Sequence, residues 1–527
     1  MRTPGPLGAD APAAATDAIK RSQCGTAWLL AVGVLTVLLC LPFIRIALGE
    51  EDGIWLNAAA RLRQGQVLYR DFFQFIPPLS FLLVDGWTSV LGHSLEAARL
   101  LAILAIAGSA CFTFLACRCA TGHAGLSAAL PLAWVVSSQG AMTQVNHHWF
   151  ALFFSAVAAW ASMSAVQSGR TGIWRPALAG LACGAAGMVT QTQGALALLA
   201  SATVFLDPRR PRREVLVFLI GVAVVPAGLV VRTAWQGALA DAFESVILFT
   251  IQRYSAIQHR PYGFGMDLQT YPAVLLYPAC VLALVVLAWH RWRAVLGDKP
   301  LLACIAFGLI GLVGAFPRAD VWHINFTLPL ALPLAGRCAV LLAASWVRKT
   351  RRVARIAAAC FMGPAALYFV LLFVGSLYMP VTQTAAGPVQ FLGWGGRPDA
   401  LARLASLPPT DRIFFYPYSP LLPYLAGRVQ VSRYDLFLPS YTTVEQYRNA
   451  CLSVMRDADW LLLHRYLMTT DYFRRDYAAM PNPTPPERVR FEQVLEIGFT
   501  PSSKYGDYEL LRRTDAAGPG LCEDGWP

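Results

Sequence analysis

Apolar runs dominate the chain, and their spacing sets its plan. A helix crosses a bilayer with roughly 17–25 apolar residues. Runs of that order cover Thr26–Leu48, Leu100–Ala116, Leu126–Gly140, Trp149–Val166 and Val215–Val231, then Tyr271–Trp289, Leu301–Phe316, Asn325–Ala344 and Ile356–Met379. Ala177–Leu206 is too long for one comfortable span and is interrupted by Thr190-Gln191-Thr192-Gln193-Gly194. That pattern predicts two short helices meeting at a polar external tip. A single tilted span would put the glutamines in lipid and strand Arg209–Arg213 on the wrong side.

Between the first two runs, Ile54, Trp55, Ala58, Ala59 and Leu62 recur at helical spacing, with Asn57, Arg61 and Gln64 on the other face. This suits a helix lying along the membrane surface. Pro77-Pro78 opens a second amphipathic piece, Leu79–Leu91, and Gly92 ends it. After Met379 the chain turns polar and Pro-rich. Arg412–Tyr416 and Trp460–Leu463 read as buried strands, Val444–Met455 as an intervening helix, and Phe491–Ile497 with Tyr508–Leu511 as a closing hairpin.

The expected fold class is an all-α polytopic membrane protein of about eleven transmembrane helices with a small C-terminal extracytoplasmic α/β domain. Three regions follow: a disordered cytoplasmic N-terminus (1–25), a transmembrane domain (26–379) whose first external loop is 49–95, and the C-terminal domain (380–527). Only 14% of residues are charged, against the quarter usual in soluble domains. The net charge of +12 does not point to nucleic acid, because Lys and Arg cluster in short loops on one side of the spans. Lys20 and Arg21 place the N-terminus in the cytoplasm, and counting the spans places the C-terminus outside. Cysteines inside apolar runs read as core residues, and Cys117 with Cys119 makes no metal site. Cys451 and Cys522 lie in the tail, where an extracytoplasmic setting would let them pair.

That topology gathers the polar candidates on the outer face. Glu50, Glu51 and Asp52 follow the first span directly, and carboxylates so close to lipid are costly unless they serve a function. The other external loops hold Asp71, His147, His148, Gln193, Arg253, Arg260, Asp267, Arg318, Asp320 and His323. A carboxylate there can deprotonate an acceptor hydroxyl, and Arg or His can stabilise a phosphate leaving group. Plainer readings stand beside these. His147-His148 also suits an interfacial cap, Gln191 and Gln193 suit backbone satisfaction at a helix break, and Arg318, Asp320 and His323 suit a local ion-pair network.

A span, an acidic pair plus Gly, an amphipathic helix, the segment YRDFF, Pro77-Pro78 and then Glu96-Ala97-Ala98-Arg99-Leu100 together resemble the GT-C superfamily of polytopic glycosyltransferases. Within it the chain is most similar to the bacterial branch with protein O-mannosyltransferases, aminoarabinose transferase and RgtA/B/C/D-like enzymes. PRADVWH (317–323), YPYSPLLPYLAG (416–427) and SRYDLFLPSY (432–441) resemble the same branch. The family usually reads Asp-Glu where Glu51-Asp52 stands, mannosyltransferases have His where Ile76 stands, and Lys-Gly is common where Gln193-Gly194 stands.

The resemblance implies an inverting transferase at the outer face of a bacterial cytoplasmic membrane. It would move a sugar from polyprenyl phosphate to a glycan, lipid or protein acceptor, within membrane lipid and without nucleic acid. Glu51 or Asp52 is then the catalytic base. Arg318, with Arg253 or His323, holds the donor phosphate, and Glu50, Asp71, His147, His148, Gln193 and Asp320 contact substrate. A divalent metal ion near the acids is compatible with the pattern, although no ligand set is readable. A flippase for lipid-linked precursors is the alternative class, but it would place polar groups at mid-membrane. A non-catalytic scaffold of the same architecture is the third reading.

Overall fold

The computed structural model describes residues 11–138, 142–168, 172–254, 257–344, 348–392 and 395–527. Its first helix, α1 (Ala11–Cys40), begins inside the stretch expected to be disordered and stops short of Leu48. A 3-10 turn at Leu41–Phe43 carries Pro42, which lacks the backbone donor that would continue the helix, and the chain leaves it through a short strand, β1 (Ile46–Ala47). The first loop then folds as α2 (Glu51–Arg63) and α3 (Leu79–Leu91). Helix α4 (Leu95–Thr121) is capped at its start by Ser94, which accepts from the Ala97 N–H at 3.0 Å.

Further along come α5 (Ala124–Ser138), α6 (His147–Ser168), α7 (Trp174–Gly187), α8 (Gln191–Phe205), α9 (Arg212–Trp235) and α10 (Leu239–Phe243). They are followed by α11 (Tyr271–Gly297), α12 (Lys299–Gly314), α13 (Val321–Thr327), α14 (Leu332–Ala343) and α15 (Arg348–Tyr378). Among the described residues, six helices are long and apolar enough to cross a membrane, or seven if the pair Val321–Leu330 and Leu332–Ala343, bent by 61°, is one broken span. The protein is therefore a multi-pass membrane protein. The expected count of about eleven exceeds this number because α5, α7, α8 and α12 have only 15, 14, 15 and 16 residues.

Helices α7 and α8 are the two short helices expected around the polar tip. They pack backbone to backbone there: a Cβ added to Gly194 would lie 2.2 Å from the Gly187 Cα. Helices α4 and α6 run through the centre of the bundle, whereas α9 and α15 expose most of their surface.

After α15 the chain forms β2 (Thr382–Thr384) and β3 (Gly387–Phe391). Strand β3 pairs antiparallel with β2 and parallel with β1, so the chain after the last long helix is stitched to the exit of the first. Next come α16 (Arg397–Ser406), β4 (Ile413–Tyr416), α17 (Leu421–Leu425), α18 (Val444–Asp457), β5 (Trp460–His464) and α19 (Thr470–Asp476). The chain finishes with α20 (Pro486–Gly498), β6 (Phe499–Tyr505) and β7 (Tyr508–Arg513).

The sheet runs β4-β5-β7-β6, with β4 and β5 parallel and the other pairs antiparallel. A parallel pair needs a crossover, and α18 lies on it. The strands expected near 412–416 and 460–463 and the helix near 444–455 are found there. The expected strand Phe491–Ile497 is not: it belongs to α20, and β7 pairs with β6 instead. Phe491, Val494 and Leu495 are buried at helical spacing behind Pro486, a helix-opening position. Cys451 and Cys522 are disulfide-bonded, pinning α18 to the final turn.

This C-terminal part sits directly on the first loop. Gly53 meets the Pro420-Leu421 backbone so closely that a Cβ would fall 2.0 Å from the Leu421 nitrogen. Arg61 pairs with Asp435 at 2.9 Å, and both side chains are buried. Asn57 adds a 3.0 Å bond to the same carboxylate.

Candidate active site

Successive residues on a helix point about 100° apart. Three acids in a row at the start of α2 therefore face three environments. Asp52 turns inward to α4, where Arg99 clamps both its oxygens, with Nε 3.1 Å from Oδ1, and the Val145 N–H donates to Oδ1 at 2.6 Å. Arg99 also donates to the carbonyls of Ile44 and Ile46, tying the exit of α1 to the same point.

Glu50 turns towards the C-terminal part. Its carboxylate accepts from Arg397 at 3.0 Å and from the Leu421 N–H at 2.9 Å. Burial pushes this carboxyl up, and Arg397 and the backbone donors oppose the shift. Glu51 alone is left over. Among the described residues its carboxylate makes no hydrogen bond or ion pair, and it lines a cavity of about 480 Å³. Burial raises it to about 6, with Arg318 opposing and Asp52 and Asp320 adding to the rise.

The cavity's cationic wall comes from the segment before α13 and its first turn. Arg318 donates through Nε to Asp320 at 3.0 Å and through Nη1 to Gln258 at 2.7 Å. Asp320 is the N-cap of α13: it accepts from the His323 N–H at 3.1 Å and lies 2.7 Å from His323 Nδ1. Burial alone would raise the Asp320 carboxyl, but His323 and Arg318 outweigh it and hold it well below the usual carboxylate range. Arg260 reaches Asp320 at 3.4 Å and Asp476 of α19 at 3.2 Å, bridging the two sides of the cavity.

The floor is the start of α6. Asn146 caps it by accepting from the His148 N–H at 2.9 Å. The His148 ring stacks on Phe326 at 4.6 Å and sits 5.1 Å from His323, while His147 lies 4.0 Å from His148 and 5.3 Å from Trp55.

The structure thus brings together Glu50, Glu51, His147, His148, Arg318, Asp320 and His323 around one cavity. Asp52 lies behind it. Asp71 lies elsewhere, paired with Arg70 at 2.9 Å and accepting from the Val67 N–H at 2.7 Å, which closes a local turn. Arg253 is exposed and does not line the cavity, although its neighbour Tyr254 does. Gln193 is buried near the start of α8, also outside the lining. Sequence reasoning missed the wall supplied by Tyr418, Tyr441, Tyr472, Arg475 and Tyr477. The dense aromatic and basic run DYFRRDY at 471–477 was the available signal. Among the described residues, no three His, Cys, Asp or Glu side chains converge as metal ligands. The arrangement gathers one unpaired carboxylate, a permanent cation and a histidine around a single cavity.

Residues 76–235 match the family model described as dolichyl-phosphate-mannose-protein mannosyltransferase. No curated protein matches the sequence significantly. ArnT from Cupriavidus metallidurans, in its crystal structure bound to undecaprenyl phosphate, is similar in structure with a TM-score of 0.52 at 13% identity, over 94% of this chain and 98% of that one. The arabinofuranosyltransferase AftD from Mycobacteria gives a TM-score of 0.52 at 14% identity, over 93% of this chain but only 40% of AftD. A bundle of this plan, an acidic first loop packed under a C-terminal unit and these likenesses agree: the chain has the fold of the GT-C superfamily of polytopic membrane glycosyltransferases.

Proposed function

We propose that the protein is an inverting glycosyltransferase that moves a sugar from a polyprenyl-phosphate donor to a hydroxyl of a glycan, lipid or protein acceptor. The observation that carries this reading is Glu51, the one acid of three without a partner among the described residues, lining the same cavity as Arg318 and His323. The undecaprenyl phosphate bound by ArnT supports a polyprenyl-linked donor. In this reading Glu51 is the base and Asp52 holds the helix that presents it, a choice supported by the pairing of Asp52 with Arg99 and the lack of a partner for Glu51 among the described residues.

Glu51 accepts the acceptor's hydroxyl proton as the oxygen attacks the anomeric carbon. The departing phosphate gathers charge, and Arg318 meets it with two-pronged donors. Attack and departure on opposite faces invert the centre. The C-terminal unit walls the cavity with Tyr418, Tyr441, Tyr472 and Tyr477, which limits the water able to compete as acceptor. In this reading the short helices also cross, the N-terminus lies inside and the C-terminus outside, and the cavity opens at the outer face of a bacterial cytoplasmic membrane. The polar groups gather at helix ends rather than at mid-membrane, which favours a transferase over a flippase.

The test is turnover by the purified protein in lipid, with polyprenyl-phosphate mannose and polyprenyl-phosphate arabinofuranose as donors. Glu51→Gln is expected to lose about 10²–10⁴-fold in kcat. Undiminished turnover in that variant would refute the assignment of the base.

A further inference from the structure

We infer that His323 is a catalytic acid that protonates the departing phosphate, and that Asp320 is the residue that positions it. The inference rests on the transferase reading above. Its starting point is the 2.7 Å contact between His323 Nδ1 and Asp320 Oδ1. A carboxylate only accepts, so Nδ1 carries a hydrogen and the ring is fixed in orientation. The second ring nitrogen, Nε2, makes no hydrogen bond among the described residues, and the ring lines the cavity. Arg318 already supplies a permanent cation to that wall. A histidine adds what an arginine cannot, a proton that leaves and returns.

The step balances. The bond between the anomeric carbon and the phosphate oxygen breaks, and its electron pair stays on that oxygen. The oxygen takes the proton from Nε2 of the charged His323 ring, which becomes neutral. Glu51 meanwhile holds the acceptor's proton. Water receives that proton from Glu51 and returns one to His323, so the products are the glycosylated acceptor and a polyprenyl hydrogen phosphate.

Several charged or titratable groups face the ring. Asp320 lies beneath it, Arg318 and Arg260 reach it through Asp320, and His148 is 5.1 Å away with His147 beyond. Glu51 lines the same cavity.

The experiment measures kcat and donor KM against pH for the full-length protein in lipid, with polyprenyl-phosphate mannose and polyprenyl-phosphate arabinofuranose. Wild-type kcat is expected to fall on the alkaline side. His323→Gln should lower kcat about hundredfold and abolish that fall, with donor KM nearly unchanged. Asp320→Asn should lower kcat as well, and combining it with His323→Gln should cost little more, as for residues acting as a unit.

A raised KM with unchanged kcat would make His323 a phosphate ligand only and overturn the proposal. So would an alkaline fall that persists in His323→Gln. A flat wild-type profile overturns it without any variant, which decides the matter if His323→Gln does not fold. Inactive Glu51→Gln beside unaltered His323→Gln removes the acid and leaves the base standing. Absence of turnover with both donors overturns the two together.

Discussion

Asp52 and Arg99 form a fully buried pair at the junction of the first loop with α4, with exposures of 1% and 0%. The pair joins three segments, because Arg99 also holds the carbonyls after α1 and Asp52 also accepts from Val145 before α6. Removing one partner of a buried pair leaves an uncompensated charge, at a cost of roughly 3–5 kcal/mol. Arg99→Ala should therefore lower thermal stability sharply, and Arg99→Lys should rescue it poorly, since a point charge cannot replace a fork. Melting curves in detergent, read beside the same curves for Glu51→Gln, separate this structural acid from the unpaired one.

The second prediction concerns pH. Burial raises the Glu51 carboxyl to about 6, so catalysis by its ionised form should fall as pH drops through that value. The stability sign runs the other way. The folded state binds this proton more tightly than the unfolded chain, whose glutamate titrates near ~4.3. The stabilisation is present below that unfolded value and is lost as pH rises through about 6. Glu51→Gln should thus be inactive yet melt higher than wild type at neutral pH, and the difference should vanish in acid. Paired rate and melting measurements at several pH values check both signs.

Much of this fold was legible because lipid enforces local rules. Apolar length, the placement of Arg clusters and the polar break at Thr190–Gly194 located most of the helices up to Tyr378, since backbone in a bilayer must satisfy itself, but the expected span Asn325–Ala344 is broken into α13 and α14. Helix α1 was misjudged at both ends: it begins within the Ala-rich start of the chain, and at Pro42 it gives way to a 3-10 turn inside an apolar run that hydropathy reads as continuous. The candidate site was half legible. Chemistry at the ends of spans stands out, so Glu51, Arg318 and His323 were visible. The sorting of Glu50, Glu51 and Asp52 was not, because it depends on Arg397 and Arg99, which lie 347 and 47 residues away. The tyrosine wall left a signal in the run DYFRRDY at 471–477, but its place beside the first loop depends on contacts equally distant in sequence.

Gly53 carries the third prediction. The Pro420-Leu421 backbone occupies the space where a side chain would be, with the Leu421 nitrogen 2.0 Å from an added Cβ. Neither backbone is the far end of a flexible side chain, so Gly53→Ala must push the C-terminal unit away from α2. We expect a loss of about 1–3 kcal/mol, the range for overpacking. Glu50 would lose its contact with the Leu421 N–H in the process. Limited proteolysis of the C-terminal part should accelerate, whereas Gly49→Ala, with open space around its Cβ, should behave as wild type.

The disulfide between Cys451 and Cys522 closes 71 residues of sequence separation around the β5–β7 core. Cross-links of this kind stabilise mainly by restricting the unfolded chain, typically by about 2–5 kcal/mol. The double variant Cys451→Ala with Cys522→Ala should lower the unfolding temperature of the C-terminal part while leaving the helical bundle intact. Since Tyr418, Tyr441, Tyr472 and Tyr477 all reach the cavity from this part of the chain, activity should be lost at the temperature where that part melts, ahead of the bundle. The same pair also reports topology. A C-terminus outside the cytoplasm should keep these two thiols oxidised in intact cells, resistant to alkylation until a reductant is added. Free thiols at both positions in cells would instead place the cavity on the cytoplasmic side, and the donor would then have to be presented from there.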